Sequence, residues 1–230
     1  MRNSVIKLLG EAQSKMSAYA ALLNYRLANL CVKAAPEALL PIQVEVDGDS
    51  KPLEKVAQVC NAEGREDQFE LYPMNPDLLF PLIKGINSVH PEFKIELKFA
   101  EGSEDEEDRY VVATMPEVDD VRHDLLTDAV KVLSDGCNTQ QDITFSRYSA
   151  QLVTMLAGAK AEEIDEAKDA LQQLHDTATG LCKQFRATKE QEIEDAYAVY
   201  QAKKAEKKQN DAASNAGNGM QMNWEMTKDE

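Results

Sequence analysis

The chain has 230 residues, 43% of them hydrophobic, and a formal net charge of −16 from 41 acidic and 25 basic side chains. That length buries a real core and leaves room for two domains, in a composition ordinary for a soluble globular protein. No uncharged apolar run reaches the roughly 18 residues of a membrane span, and so acidic a chain repels nucleic-acid phosphates unless its cations gather on one face.

Residues 2–30 read as one long amphipathic helix, with Val5, Leu8, Leu9, Ala12, Met16, Tyr19, Ala20, Leu23, Leu27 and Leu30 at three-and-four spacing. The apolar stretch Val5–Leu9 is interrupted by Lys7 and runs on into this pattern, so it reads as structure and not as a secretory signal. The stripe requires other helices to pack against. Pro36 ends the helical reading, because proline disfavours helix in the residue before it.

From about Leu40 the period changes to two. Ile42, Val44 and Val46 alternate with Gln43, Glu45 and Asp47, as in a half-buried strand, and Asp47-Gly48-Asp49-Ser50 reads as a turn. Leu53–Cys60 reads as strand or as a short mixed segment, Glu63-Gly64-Arg65-Glu66 turns again, and Phe69, Leu71 and Tyr72 lie on a strand that Pro73 ends. Asn75 caps a short helix with Pro76 at its first position and Leu78, Leu79, Leu82, Ile83 and Ile86 on its apolar face. Phe93, Ile95, Leu97 and Phe99 alternate as a strand, Glu101–Asp108 is an acidic loop, and Tyr110–Met115 is a last strand stopped by Pro116.

Helix periodicity returns at Val118. Val121, Leu125, Leu126, Ala129, Val130 and Leu133, then Phe145, Tyr148, Leu152, Val153 and Leu156, are read as one core-facing stripe that closes at Gly158. A third long helix is expected over 160–208, its exposed face dense in Glu and Lys. From Gln209 the composition predicts a disordered acidic and polar tail, 209–230. There Trp224, with Met220, Met222 and Met226, reads either as unstructured residue or as a docking segment.

Three helical stripes that cannot be buried singly predict an α+β protein. Its three-helix bundle is built from 1–35 and 116–208, with a small β/α/β domain, 36–115, inserted between the first and second helices. The chain crosses between the two at Ala35-Pro36 and again at Met115-Pro116, and paired crossings at prolines predict a hinge.

Cys31, Cys60, Cys137 and Cys182 are far apart and read as reduced thiols; His90, His123 and His175 are equally isolated. The run Glu104-Asp105-Glu106-Glu107-Asp108 lacks the spaced ligands and glycine of a calcium loop and reads as a solvated loop. No nucleophile elbow, phosphate loop or paired-histidine metal motif occurs, so neither a catalytic residue nor a metal or cofactor is expected.

Several segments together resemble the ribosome recycling factor family. Lys33-Ala34-Ala35-Pro36-Glu37-Ala38-Leu39 is similar to the family's first hinge segment. Ile42–Val46, Gly48, Pro52-Leu53 and Val56–Val59 are similar to its next strands, and Phe69–Pro73 with the helix through Lys84-Gly85-Ile86 to its third strand and short helix. Met115-Pro116 followed by Asp119–Leu126 resembles its second hinge. The similarity spans about residues 10–200 and implies a two-domain, L-shaped arrangement of the bundle and inserted domain.

The resemblance further implies a monomeric factor, not itself an enzyme, that lies along large-subunit ribosomal RNA after termination and separates the subunits together with elongation factor G. It would act in the cytoplasm, or alternatively in a mitochondrial or plastid matrix. It implies RNA contact through Lys33, Arg122, Lys131 and Arg147, against the alternative that these are ordinary solvated charges. The chain departs from the family where that contact is made: Leu30 stands at a usual arginine, Val32 at a usual glycine and His123 at a usual basic residue, and Asp124, Asp128, Asp135 and Asp142 share the helix with Lys131. A family paralogue that has lost recycling and binds another partner is the alternative reading.

Overall fold

The computed structural model describes residues 2–225 apart from Leu40, Glu101, Ser103, Glu104, Glu106 and Glu107, with side chains through Asn210 except that of Glu37. Four helices and six strands form among the described residues: α1 (Asn3–Ala28), β1 (Gln43–Val46), β2 (Asp49–Pro52), β3 (Ala57–Asn61), β4 (Gln68–Pro73), α2 (Leu79–Val89), β5 (Lys94–Phe99), β6 (Arg109–Thr114), α3 (Asp120–Met155) and α4 (Ala161–Glu225). Both the acidic run at Glu104, Glu106 and Glu107 and the side chains of Met220, Met222, Trp224 and Met226 lie outside what is described.

The small domain is wholly antiparallel. β1 and β2 form a hairpin whose turn residues, Asp47 (φ 56°) and Gly48 (φ 88°), both take the left-handed backbone of a type I′ connection. A separate four-stranded sheet has the order β3-β4-β6-β5. Asn75 accepts the Asp77 N–H and a short 3₁₀ turn, Pro76–Leu78, leads into α2. α2 lies close on β1 at Gly85, where a Cβ would stand 3.0 Å from the Gln43 carbonyl oxygen, so only glycine fits without displacement. One apolar cluster, including Leu39, Ile42, Phe69, Leu71, Leu82, Ile86 and Met115, fills this domain.

α1, α3 and α4 pack on one another as a bundle. Its interior is divided into two apolar clusters, one around Val5, Ala12, Met16, Leu152, Leu156 and Leu171, the other around Leu23, Leu27, Val118, Val130 and Ile193. Ser134, Gln141 and Thr144 are also buried in the bundle. Gln141 donates to the Met16 carbonyl at 2.9 Å, while its own Oε1 and the Ser134 hydroxyl have no partner.

Three expectations differ from this structure. Val121, Leu125 and Val153, read as part of the core stripe of α3, are exposed at 68%, 65% and 62%. α3 carries apolar residues at helical spacing on two opposite faces, and periodicity alone cannot say which is buried. Asp49 and Ser50, read as part of the turn, already belong to the second strand of the hairpin, Asp49–Pro52. The backbone of α4 stays helical past Lys208, to Glu225, where composition predicts a disordered tail. No proline follows Pro116, and alanine, lysine and glutamine there are good helix formers.

Candidate functional site

Both connections between bundle and small domain are fastened to the same turn, between β3 and β4. Ala34 donates its N–H to the Glu66 carbonyl at 2.7 Å, Met115 to the Asp67 carbonyl at 2.8 Å, and Asn61 Nδ2 to the Ala34 carbonyl at 2.9 Å. Ala35 accepts from Ala38 as Pro36 opens a 3₁₀ turn. Cys31 and Met115 are buried with the small domain's core and Val118 with the bundle's. The backbone left between these fixtures is short, Val32–Lys33 on one side and Pro116–Glu117 on the other. A cleft of about 490 Å³ opens beside it, lined by residues of both parts, among them Lys33, Glu66, Pro116, Tyr200 and Lys203.

Arg122 sits at this junction as a strut. Asp119 caps α3 by accepting the Arg122 N–H at 2.8 Å, and the guanidinium Nη2 donates to the Cys31 carbonyl, also at 2.8 Å. Lys189 of α4 donates to the neighbouring Leu30 carbonyl at 3.4 Å. Two cations therefore meet carbonyls just beyond the end of α1, where cations are stabilised by the helix dipole. Burial lowers the pKa of Arg122 from its ordinary value, opposed by the charge of Glu92, and Nε is left without a partner. Burial likewise pushes the Cys31 thiol up to about 12, so it is inert as a nucleophile at neutral pH.

The other proposed RNA contacts are distributed differently. Lys33 is half exposed and lies 3.8 Å from Glu66. Lys131 and Arg147 are exposed on α3. At about 100° per residue, Arg122 and Arg147 fall within about 20° of each other on one flank of α3, while Lys131 lies on the opposite flank. The Arg122–Arg147 flank is the side facing α1: Leu133, Gly136 and Gln140 line a groove there with Tyr19, Leu22 and Arg26. The Lys131 flank faces α4 and is acidic. Its Asp142 meets His175 at 3.0 Å and Asp135 meets Arg186 at 3.7 Å.

His123 belongs to that α4-facing lacing. Its ring stacks on Tyr197 with centroids 4.2 Å apart, Nε2 is 3.0 Å from a Glu194 oxygen and Nδ1 is 3.2 Å from an Asp124 oxygen. The hydrogen bond to Glu194, then that to Asp124, raises its pKa above the ordinary histidine value. It is engaged within the bundle.

The bundle with its inserted antiparallel domain is shared, over more than four-fifths of the chain, with solved proteins. A solution structure of ribosome recycling factor superposes with a TM-score of 0.67 at 16% identity, covering 85% of this chain and 100% of that one. A T. thermophilus ribosome recycling factor, from models of it and E. coli elongation factor G bound to the E. coli post-termination complex, gives 0.57 at 21% identity over 82% and 98%. This is the ribosome recycling factor fold. No protein-family model and no curated protein sequence matches the chain.

Within the recycling factor fold, the hinge-proline signal locates the crossings. It is silent on the β3–β4 turn that pins them and on Lys189, which lies in a different helix and is brought to the first crossing only by tertiary packing. No helix among the described residues is long and apolar enough to cross a membrane, and no group of three or more metal-ligating side chains occurs among them.

Proposed function

We propose that this chain is a recycling-factor-like translation factor that enters the ribosome after termination, contacts large-subunit RNA through its bundle and separates the subunits together with elongation factor G. The observation that carries this reading is the match of fold along the full length of a recycling factor at a TM-score of 0.67, inserted domain included. The hinge agrees with it: two short proline-marked connections pinned to one turn let the small domain reorient against the bundle without unfolding either. The factor acts as a monomer without catalysis of its own, wherever its ribosomes are, in the cytoplasm or in a mitochondrial or plastid matrix.

On this reading RNA contact is sparse. Arg147 and Lys33 are available to phosphates, Lys131 reaches them only from the other flank, and Arg122 serves chiefly to hold the hinge. The test is co-sedimentation with ribosomes of the source organism over a salt series. With about two to three phosphate contacts the log–log slope should be about −2 to −3, and Arg147→Ala should make it shallower by about one unit. Glu63→Ala, in an exposed turn of the small domain, should leave it unchanged. Absence of binding at low salt, or a slope indifferent to Arg147→Ala, contradicts the reading.

The acidic flank of α3 favours the alternative, a paralogue that binds another partner, because four aspartates lie where the resemblance implies a basic surface. Ribosome binding without subunit separation is its signature.

A further inference from the structure

We propose that the outward crest of α3 docks a protein partner through an apolar helix or segment flanked by basic side chains. The proposal goes beyond the recycling reading and holds whether or not that reading does.

Val121, Leu125, Val132 and Ile143 are exposed at 68%, 65%, 70% and 55%. At about 100° per residue they fall within about 40° of one another, on the side of α3 away from its buried positions Val130, Cys137 and Tyr148. Gly136, Thr139 and Ala150 complete the strip, so it carries no charge over about 45 Å of helix. Single exposed apolar residues are ordinary, but an aligned uncharged row of valine, leucine and isoleucine is a contact surface. Valine and isoleucine are also poorer helix formers than the alanine, lysine or glutamate that a purely solvated face favours. Beside the crest at Gly136, a groove of about 270 Å³ between α1 and α3 is open to a side chain from outside, and nothing lies within 4 Å of a Cβ built on that glycine.

Charge selects the occupant. Asp124, Asp128, Asp135 and Asp142 run along the α4 side of the crest, more than half exposed even where Asp142 meets His175 and Asp135 meets Arg186, while Arg147 borders its α1 side. A second copy seated on it would bring two such edges, and two chains of net charge −16, together. RNA would meet an uncharged strip with a row of four carboxylates along one edge against the single Arg147 on the other. A basic-flanked apolar partner satisfies both the crest and its acidic edge.

The test uses the full chain and three labelled synthetic helical peptides, each roughly 28 residues long to match the crest. One has a leucine stripe with lysine flanks, one the same stripe with glutamate flanks, and one the same lysines with the leucines scattered. Fluorescence anisotropy should show the lysine-flanked stripe binding at least about tenfold more tightly than either of the others, a gap in which apolar and charge complementarity each contribute. Val132→Asp and Ile143→Asp should each weaken it about tenfold, and Val132→Ala and Ile143→Ala, which leave the charge alone, by about threefold. Because all four replace exposed side chains, circular dichroism should show unchanged helix content. Four results overturn the proposal: no binding of the lysine-flanked stripe, equal binding of the scattered peptide, indifference of binding to all four variants, or a wild-type dimer in sedimentation that Val132→Asp dissolves.

Discussion

In the small domain one continuous apolar cluster, from Leu39 on the entering segment to Met115 on the leaving one, lies between α2 and the sheets, with His90 as its buried polar side chain. In the bundle, Ser134, Gln141 and Thr144 are buried alongside two separate apolar clusters, and the helices are further joined on the outside by ionic and ring contacts such as His123–Glu194 and Lys204–Asp120. The small domain has surface ion pairs of its own, Arg65–Asp67, Lys84–Glu45 and Lys94–Glu96 among them, but its interior is held by a single apolar cluster. The bundle shares its cohesion with polar groups, whose contribution depends on charge state and ionic strength. The difference fits the proposed function, in which the bundle would carry the partner contacts and the small domain would reorient as a compact head.

The largest effect is expected where burial acts alone. Phe69 is fully buried in β4 and stacks on Phe93 with centroids 6.3 Å apart. Phe69→Ala should cost about 3–5 kcal/mol in denaturant unfolding followed at equilibrium. A loss below about 1.5 kcal/mol would mean the head lacks the continuous core described and would erase the contrast with the bundle.

A smaller effect of opposite sign is expected in the bundle. Gln141 is fully buried, with one amide hydrogen bond to a carbonyl already inside α1 and an unpartnered Oε1. Gln141→Leu removes the orphaned acceptor at similar volume and should leave stability unchanged or raise it by up to about 1 kcal/mol. A loss of about 2 kcal/mol or more would show the buried amide to be essential to the bundle.

The smallest effect is the pH dependence of the outer lacing. The pKa of His123 is raised above 6.5 by Glu194 and Asp124, so its contribution is fully present below about pH 6.5 and is lost as pH rises through the folded value. Thermal melts of wild type and His123→Gln should therefore differ most at pH 6 and converge in the alkaline direction. A gap that stays constant with pH would assign His123 to packing on Tyr197 alone.

How much of this was legible in sequence follows from the same contrast. Where one face is buried and the other is mostly polar, as in α1 or β1, periodicity locates the core face, with Leu9, Tyr19 and Leu30 of the α1 stripe at its half-buried margin. α3 defeats that reading because Leu126 and Val130 face inward while Leu125 and Val132 face outward. A stripe count sees one broad apolar surface where the structure has a core face and a crest. The two crossings were legible through Pro36 and Pro116, but their fastening was not: Glu66 and Asp67 contribute backbone carbonyls, which any residue carries. Arg122 was legible as a cation but not as a strut, since its partner, the Cys31 carbonyl, is distant in the chain. Lys131 and Arg147 were read as one set, and helical geometry places them on opposite flanks of α3.

The central claim, that this fold carries recycling activity, is tested most directly by light scattering of purified post-termination ribosomes from the source organism, mixed with their own elongation factor G and GTP. The account predicts that adding this chain lowers the scattering as subunits separate, and that omitting GTP or the elongation factor abolishes the change. Unchanged scattering, under conditions in which an arginine-rich recycling factor splits the same ribosomes, would contradict it.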